Sequence, residues 1–375
     1  MKKILLMKKL YFFIFFLSGQ FAFLSNAQLV RKYSNEFLKI GVGAEALALG
    51  GAQTAIATGP WASYWNPAGI EAPESKVPIA LMHSEYFAGL AKYDFGSVVI
   101  PMESNSMGEV NSWAGISLIR FAVDDIPNTL QLIEPDGSIN YNNVSSFSAA
   151  DYAFIGSYAK NMNTTFQRKG YLKLGGNVKV IRRTVGSFAN AWGFGFDLGV
   201  KMKYNRWLLG ACLHDASTTF NVWNFTFTDL DKQALALTGN LIPKTSTELT
   251  LPQLNFGVAY PISFANEWSF NPVLDLAITT DGQRNVLISA NPFSIDPRFG
   301  LSFGYKQRFY LRGGVGNIQK LTDDNGIINT SIQPNIGVGL HLKNFYVDYA
   351  LTNVGNVSQV LYSNVVSLQI NMPKK

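Results

Sequence analysis

Chemistry needs donors, acceptors and nucleophiles gathered in one place, and this sequence scatters them. The three histidines, His83, His214 and His341, lie far apart, and Cys212 is the single cysteine. One thiol excludes an internal disulfide and a multi-thiolate metal site, so Cys212 reads as a small buried apolar side chain. There is no G-x-S-x-G elbow, no G-x-x-x-x-G-K-[ST] phosphate loop and no H-E-x-x-H pair. His83 adjoins Ser84, but neighbouring residues in a strand point to opposite faces. Gly41, Gly43, Gly50 and Gly51 do not follow a strand in a βαβ unit, so they suit close backbone packing better than a nucleotide loop. The chain reads as non-enzymatic, with no cofactor and no metal.

The charges that do stand out are Asp197, Lys201, Arg312 and Asp348, each on the polar phase of an alternating segment. The clearest such segment runs over 191–204. Trp192, Phe194, Phe196, Leu198, Val200, Met202 and Tyr204 alternate there with Ala191, Gly193, Gly195, Asp197, Gly199, Lys201 and Lys203, so period 2 puts the two sets on opposite faces. The pattern recurs from Leu172 to Val180, from Trp207 to Leu213, around Phe309 and Leu311, from Phe345 to Leu351 and from Tyr362 to Met372. Repeated dyad segments of about ten residues are the signature of a transmembrane β-barrel with an apolar outside and a polar lumen. Candidate segments number 14 or 15, and single-chain barrels are even-numbered, which selects 14. Asp197, Lys201, Arg312 and Asp348 are then expected in the lumen, because Lys or Arg on the lipid side at the midplane costs about 2–4 kcal/mol. There they pair with one another, hold an internal element, or line a solute path.

Residues 1–27 have a basic head (Lys2, Lys3, Lys8, Lys9), an apolar centre and Ser25-Asn26-Ala27 at the end, the pattern of a secretory signal peptide. Of 31 Lys+Arg these four fall in that segment, which has no acid. This leaves 27 against 25 and a net charge of +2, so the formal +6 is no sign of nucleic-acid binding.

Between the leader and the first strand, residues 37–70 carry no charge from Glu45 to Glu71, yet Gly50, Gly51, Gly59, Pro60, Pro67 and Gly69 break them. A membrane-spanning helix needs about 20 mostly apolar residues without such breaks, and a free loop would expose Trp61, Tyr64 and Trp65. The stretch therefore reads as a short helix and loop covered by other protein. The organisation expected is 1–27 leader, 28–75 lead-in and plug, and 76–375 barrel. The polar connections at 123–147 and 216–251 are expected to be external loops, and Phe220, Trp223 and Phe225 in the second would fold onto the rim or dock a partner.

The Phe37-Leu38 start, the run from Gly43 through Gly50-Gly51 to Ala52, and Tyr64-Trp65-Asn66-Pro67-Ala68-Gly69 resemble the N-terminal plug of FadL-type barrels. His83-Ser84-Glu85, Tyr93-Asp94-Phe95, Phe196-Asp197-Leu198-Gly199, Arg312-Gly313-Gly314 and Asp348-Tyr349-Ala350 resemble the PorV/PorQ branch associated with type IX protein secretion. The sequence departs from the pattern at Thr58-Gly59-Pro60-Trp61 and at its end, Met372-Pro373-Lys374-Lys375. The resemblance implies an all-β, 14-stranded antiparallel barrel in the outer membrane of a Gram-negative bacterium, with a helical plug in the lumen that includes Gly50, Gly51, Trp65, Asn66, Pro67 and Gly69. The partners it implies are outer-membrane lipid, a type IX translocon barrel, and cargo proteins with a C-terminal sorting domain. The alternative it leaves open is a FadL-type channel for hydrophobic solutes.

Overall fold

The computed structural model describes residues 34–374 apart from 88, 105–108, 135, 163–169, 238, 240, 242–245, 265–266, 323–325, 327 and 353–362. The leader expected at 1–27 lies outside the described residues.

Fourteen antiparallel strands form one closed sheet among the described residues. They are β1 Lys76–Tyr86, β2 Ala91–Pro101, β3 Ser112–Asn128, β4 Ser145–Met162, β5 Gly170–Val185, β6 Ala189–Tyr204, β7, β8, β9 Trp268–Thr279, β10 Ser294–Tyr305, β11 Phe309–Thr322, β12 Ile328–Leu342, β13 Phe345–Thr352 and β14 Ser363–Pro373. Strand β7 comes in two pieces, Trp207–His214 and Thr219–Phe225, and β8 in three, Ser246–Thr250, Gln253–Ala259 and Ile262–Phe264. Both pieces of β7 pair with β6. The barrel closes where β1 pairs with β14 from Lys76↔Pro373 to Glu85↔Asn364. One end has tight turns, as at 205–206, 306–308 and 343–344, and the other carries the long connections.

Two expectations change. The stretch 216–251 is not one loop: Phe220, Trp223 and Phe225 lie on the upper piece of β7, which pairs with β6 from Ala189↔Phe225 to Phe194↔Phe220. Phe220 and Val222 alternate with Asn221 and Trp223, so the segment continues the sheet. Phe220 is 44% exposed on the outer face, whereas Trp223 is buried. Between it and β8 sits a short helix, Asp229–Leu237, entered through reciprocal bonds between Thr228 and Asp231 that cap its first turn. The stretch near 282 is a loop, which resolves the count in favour of 14.

The plug is short helix within loop, as expected: α1 Ala44–Ala48, α2 Ala62–Trp65 and single 3-10 turns between and around them. Its apolar residues Val42, Trp65 and Ile70 are buried against inward residues of β1–β5, among them Tyr93, Phe95, Trp113, Ile119 and Ile181, and Trp61 stacks on Phe95 at 5.4 Å. Among the described residues no helix is long and apolar enough to cross a membrane; the strands present the apolar exterior, with Ile116, Leu198, Phe303 and Val366 all exposed on the outer face.

Candidate functional site: the plugged lumen and an aromatic rim groove

The predicted lumen charges all point inward and are buried. They do not form one site, because each ties a different part of the plug or wall. Arg312 on β11 bridges Asp348 on β13 at 2.6 Å and Glu45 on α1 at 2.8 Å. Lys201 on β6 donates to the carbonyls of Ala57 at 2.6 Å and Ile56 at 3.3 Å. Asp197 accepts from Lys179 at 2.7 Å and from Asn177 at 3.0 Å, and Asn177 also donates to the Ser63 carbonyl. Of the roles expected for these charges, the pairs and plug contacts are the ones the structure displays.

The sequence reading missed one tether. Asp275 on β9 accepts the backbone N–H groups of Gln53 and Thr54 at 2.8 and 2.7 Å, a charge-assisted pair in a dry setting. It sits on the polar phase of its strand, as Asp197 does, and that phase was the signal available. Lys173, which meets Glu71 at 2.5 Å, carried the same signal.

The plug residues singled out from sequence are close-packing points. Asn66 donates to the carbonyls of Thr54 at 2.8 Å and Val200 at 3.0 Å and accepts from the N–H of Ala68, so one side chain caps a plug turn and grips the wall. Wall glycines make room for it. A Cβ on Gly175 would lie 2.4 Å from the Ala68 nitrogen, and one on Gly199 would lie 2.2 Å from the Asn66 side-chain Oδ1. Gly50, at φ 68°, lets the chain turn off α1 while its Cα abuts the Val315 backbone; left-handed φ and this contact both favour glycine. The Trp65 indole donates to the Val42 carbonyl at 2.9 Å. The Tyr64 hydroxyl donates to the Leu38 carbonyl at 2.6 Å, and burial holds its pKa well above the ordinary tyrosine value despite the field of Arg298. Gly51, Pro67 and Gly69 are buried in the same packing.

Glu45, His341 and Asp348 approach as closely as metal ligands would. The Arg312 guanidinium already pairs with both carboxylates, and a fixed cation there opposes a second one; His341 adds a contact to Asp348 at 3.3 Å. His83 lies on the outer face, as its phase demands, and Ser84 faces in. Its Nδ1 is 2.7 Å from Asp94, which also pairs with Arg120 at 3.0 Å. These outward charges sit near the long-loop ends of β1 and β2, where they reduce the apolar height of the wall.

An open apolar concavity lies at the long-loop end. It is a groove of about 460 Å³ lined by Phe147, Val185, Phe188, Trp223, Phe225 and Phe227, with Glu248 at one edge. Its rings form a chain: Phe147 to Phe188 at 5.2 Å, Phe188 to Phe227 at 6.0 Å, and Trp223 to Phe225 at 6.3 Å. Arg183 lies 5.1 Å from the Trp223 ring and is fixed by Asp151 through two bonds of 2.8 and 3.0 Å. The start of the plug adjoins the groove's edge: Ser34 donates to Glu248 at 3.4 Å, and Asn35 donates to Thr250 and accepts from Asn221, each at 2.9 Å. Trp223 and Phe225 were expected here. Phe147 and Phe188 lie far from them in sequence and are brought in by the β4–β5–β6 pairing.

No protein-family model matches the chain, and no curated protein matches it. Solved structures do. The toluene transporter TbuX of Ralstonia pickettii is 14% identical, with 88% of this chain and 98% of that one covered and a TM-score of 0.50. The CymD monoaromatic hydrocarbon channel is 12% identical over 89% and 98%, at 0.50, and a FadL homologue of Pseudomonas aeruginosa is 11% identical over 88% and 98%, at 0.49. At this identity the likeness speaks for fold: the chain has the FadL-like fold, a 14-stranded antiparallel barrel of the outer-membrane type with a short N-terminal helical segment.

Proposed function

We propose that this barrel resides in the outer membrane with its long loops outside, and that it captures a small hydrophobic molecule in the rim groove. The observation that carries this reading is the groove itself, an open aromatic concavity whose edge residue Glu248 is tied to Ser34 at the start of the plug. Concave apolar sites with a few polar groups are the usual form of small-molecule sites. The FadL-like fold, shared with a toluene transporter and a monoaromatic hydrocarbon channel, agrees with it.

The test is retention of radiolabelled toluene by proteoliposomes carrying the barrel. The double variant W223A/F188A is expected to bind about tenfold more weakly, since each ring removed forfeits buried apolar area of the order of 1.5–3 kcal/mol in part. Equal retention by a folded double variant would refute the groove as the site.

A second reading, a docking component of type IX secretion, is favoured by the density of tethers between plug and wall, which suits a lumen kept shut. Cross-linking and mild-detergent isolation from the native outer membrane separates the two. Recovery of a translocon barrel or of proteins sharing one C-terminal sorting domain supports docking, and recovery of the barrel alone with bound hydrophobic molecules supports capture.

A further inference from the structure

We infer that the barrel also contains an aqueous route for small polar solutes along its β9–β13 wall, with helix α1 as the closing element. This goes beyond capture at the rim groove and does not rest on it, because the groove shares no lining residue with the cavities of this route.

Two cavities meet α1 from opposite ends. Toward the short turns lies one of about 880 Å³, lined by Glu45, Leu49, Arg312, His341, Tyr346 and Asp348 among others. Toward the long loops lies one of about 520 Å³, lined by Leu47, Gly50, Arg284, Asp296, Arg298 and Gln333 among others. Both linings are rich in amides and in charges of both signs. Such surfaces hold water and favour polar or zwitterionic solutes over hydrocarbon. The opposite side of the lumen, along β1–β5, is packed with plug and wall apolar residues.

The partition between the cavities is thin. On β10, Arg298 lines the upper cavity and Ser302 the lower; on β11, Gly316 and Arg312 do so; on β12, Asn335 and His341. The inward residues between them are Gly300, Gly314, and Gly337 with Gly339. A Cβ on Gly300 would fall 2.8 Å from the Leu49 Cβ, one on Gly314 2.2 Å from the Leu49 carbonyl carbon, and one on Gly337 2.6 Å from the Ala48 Cβ. The helix therefore lies against bare wall backbone, and once it lifts no wall side chain fills the gap. Among the described residues its polar ties are few: the Glu45–Arg312 ion pair to this wall, and the Ala44 N–H bonded to Ser367 on β14 at 3.1 Å.

The experiment is conductance of the full-length barrel in planar bilayers, with liposome swelling in arabinose and in glycine. Gly314→Ala adds one methyl group in contact with the α1 backbone, and overpacking of this kind is expected to raise the open fraction about tenfold or more. Gly313→Ala on the same strand points outward, where the nearest atom is 3.9 Å away, and is expected to stay closed. Glu45→Gln, which adds no volume, is expected to give a smaller rise of about two- to fivefold, and carries the test if Gly314→Ala does not fold. Folded Gly314→Ala or Glu45→Gln barrels with unchanged conductance overturn the inference, as does a rise in Gly313→Ala. Open barrels that pass ions but produce no swelling in either solute overturn the assigned solute class.

Discussion

Replacing Arg312 alone should harm the barrel more than replacing it together with its buried partner. The Arg312 side chain is 1% exposed, Asp348 10% and Glu45 42%, so the three ends of this cluster face different solvents. With R312M, Glu45 regains water at little cost, but Asp348 stays buried with only His341 at 3.3 Å. An unmatched buried charge costs about 3–5 kcal/mol. In R312M/D348L no charge is stranded, and the Arg312 Nε, which has no acceptor among the described residues, ceases to be a desolvated donor. The double variant should therefore recover to within about 1 kcal/mol of the parent. Glu45→Ala should cost at most about 1 kcal/mol, since a half-exposed pair is screened. Urea unfolding in a fixed detergent, read by the heat-modifiable mobility of the folded barrel, ranks the three. If R312M/D348L is as unstable as R312M, the cluster stabilises by packing and the charge argument fails.

Three further outcomes follow from other contacts. Asp275→Ala should leave the Gln53 and Thr54 amides without their acceptor; at about 1.5–3 kcal/mol for a bond to a charged group, their hydrogen exchange should quicken by roughly 10–100-fold while strand amides keep their protection. Gly175→Ala should displace Asn66-Pro67-Ala68, because its Cβ would enter backbone at 2.4 Å, with a loss of about 1–3 kcal/mol and increased proteolysis within the plug. In the loop after β9, burial pushes the Asp281 carboxyl up, but its bonds to Arg284 at 2.5–3.1 Å outweigh this and hold its pKa below the ordinary aspartate value. A depressed pKa contributes stability above the unfolded value of about 3.9 that is lost as pH falls through the folded one; the loop should thus loosen to protease only below about pH 4, and D281N should remove that dependence.

The sequence displays alternation only where the lumen is wet or charged. The segments legible at first sight, β5–β7, β11, β13 and β14, carry inward Lys173, Asp197, Lys201, Arg312, Asp348 and Ser367 against an apolar exterior. Strands β2 and β3 do not alternate in this way, because Tyr93, Phe95 and Ile119 face the plug while Ile100, Ile116 and Leu118 face outward. A strand buried on both faces reads as a continuous apolar run, so its period vanishes for the same reason that it holds the plug. Loss of period is then itself a map: it marks the β1–β5 sector as the packed side of the lumen, and its return at β5 and beyond marks the side with space. The partners of Arg312 show the limit of this map. Phase places a charge in the lumen but does not say which charge it meets, since Glu45 lies 267 residues away and only barrel closure over the plug brings the two together. The aromatic groove is only half legible for a related reason: Trp223 and Phe225 stand together in sequence, but Phe147 on β4 and Phe188 in the β5–β6 turn are isolated aromatics until the register brings them to β7.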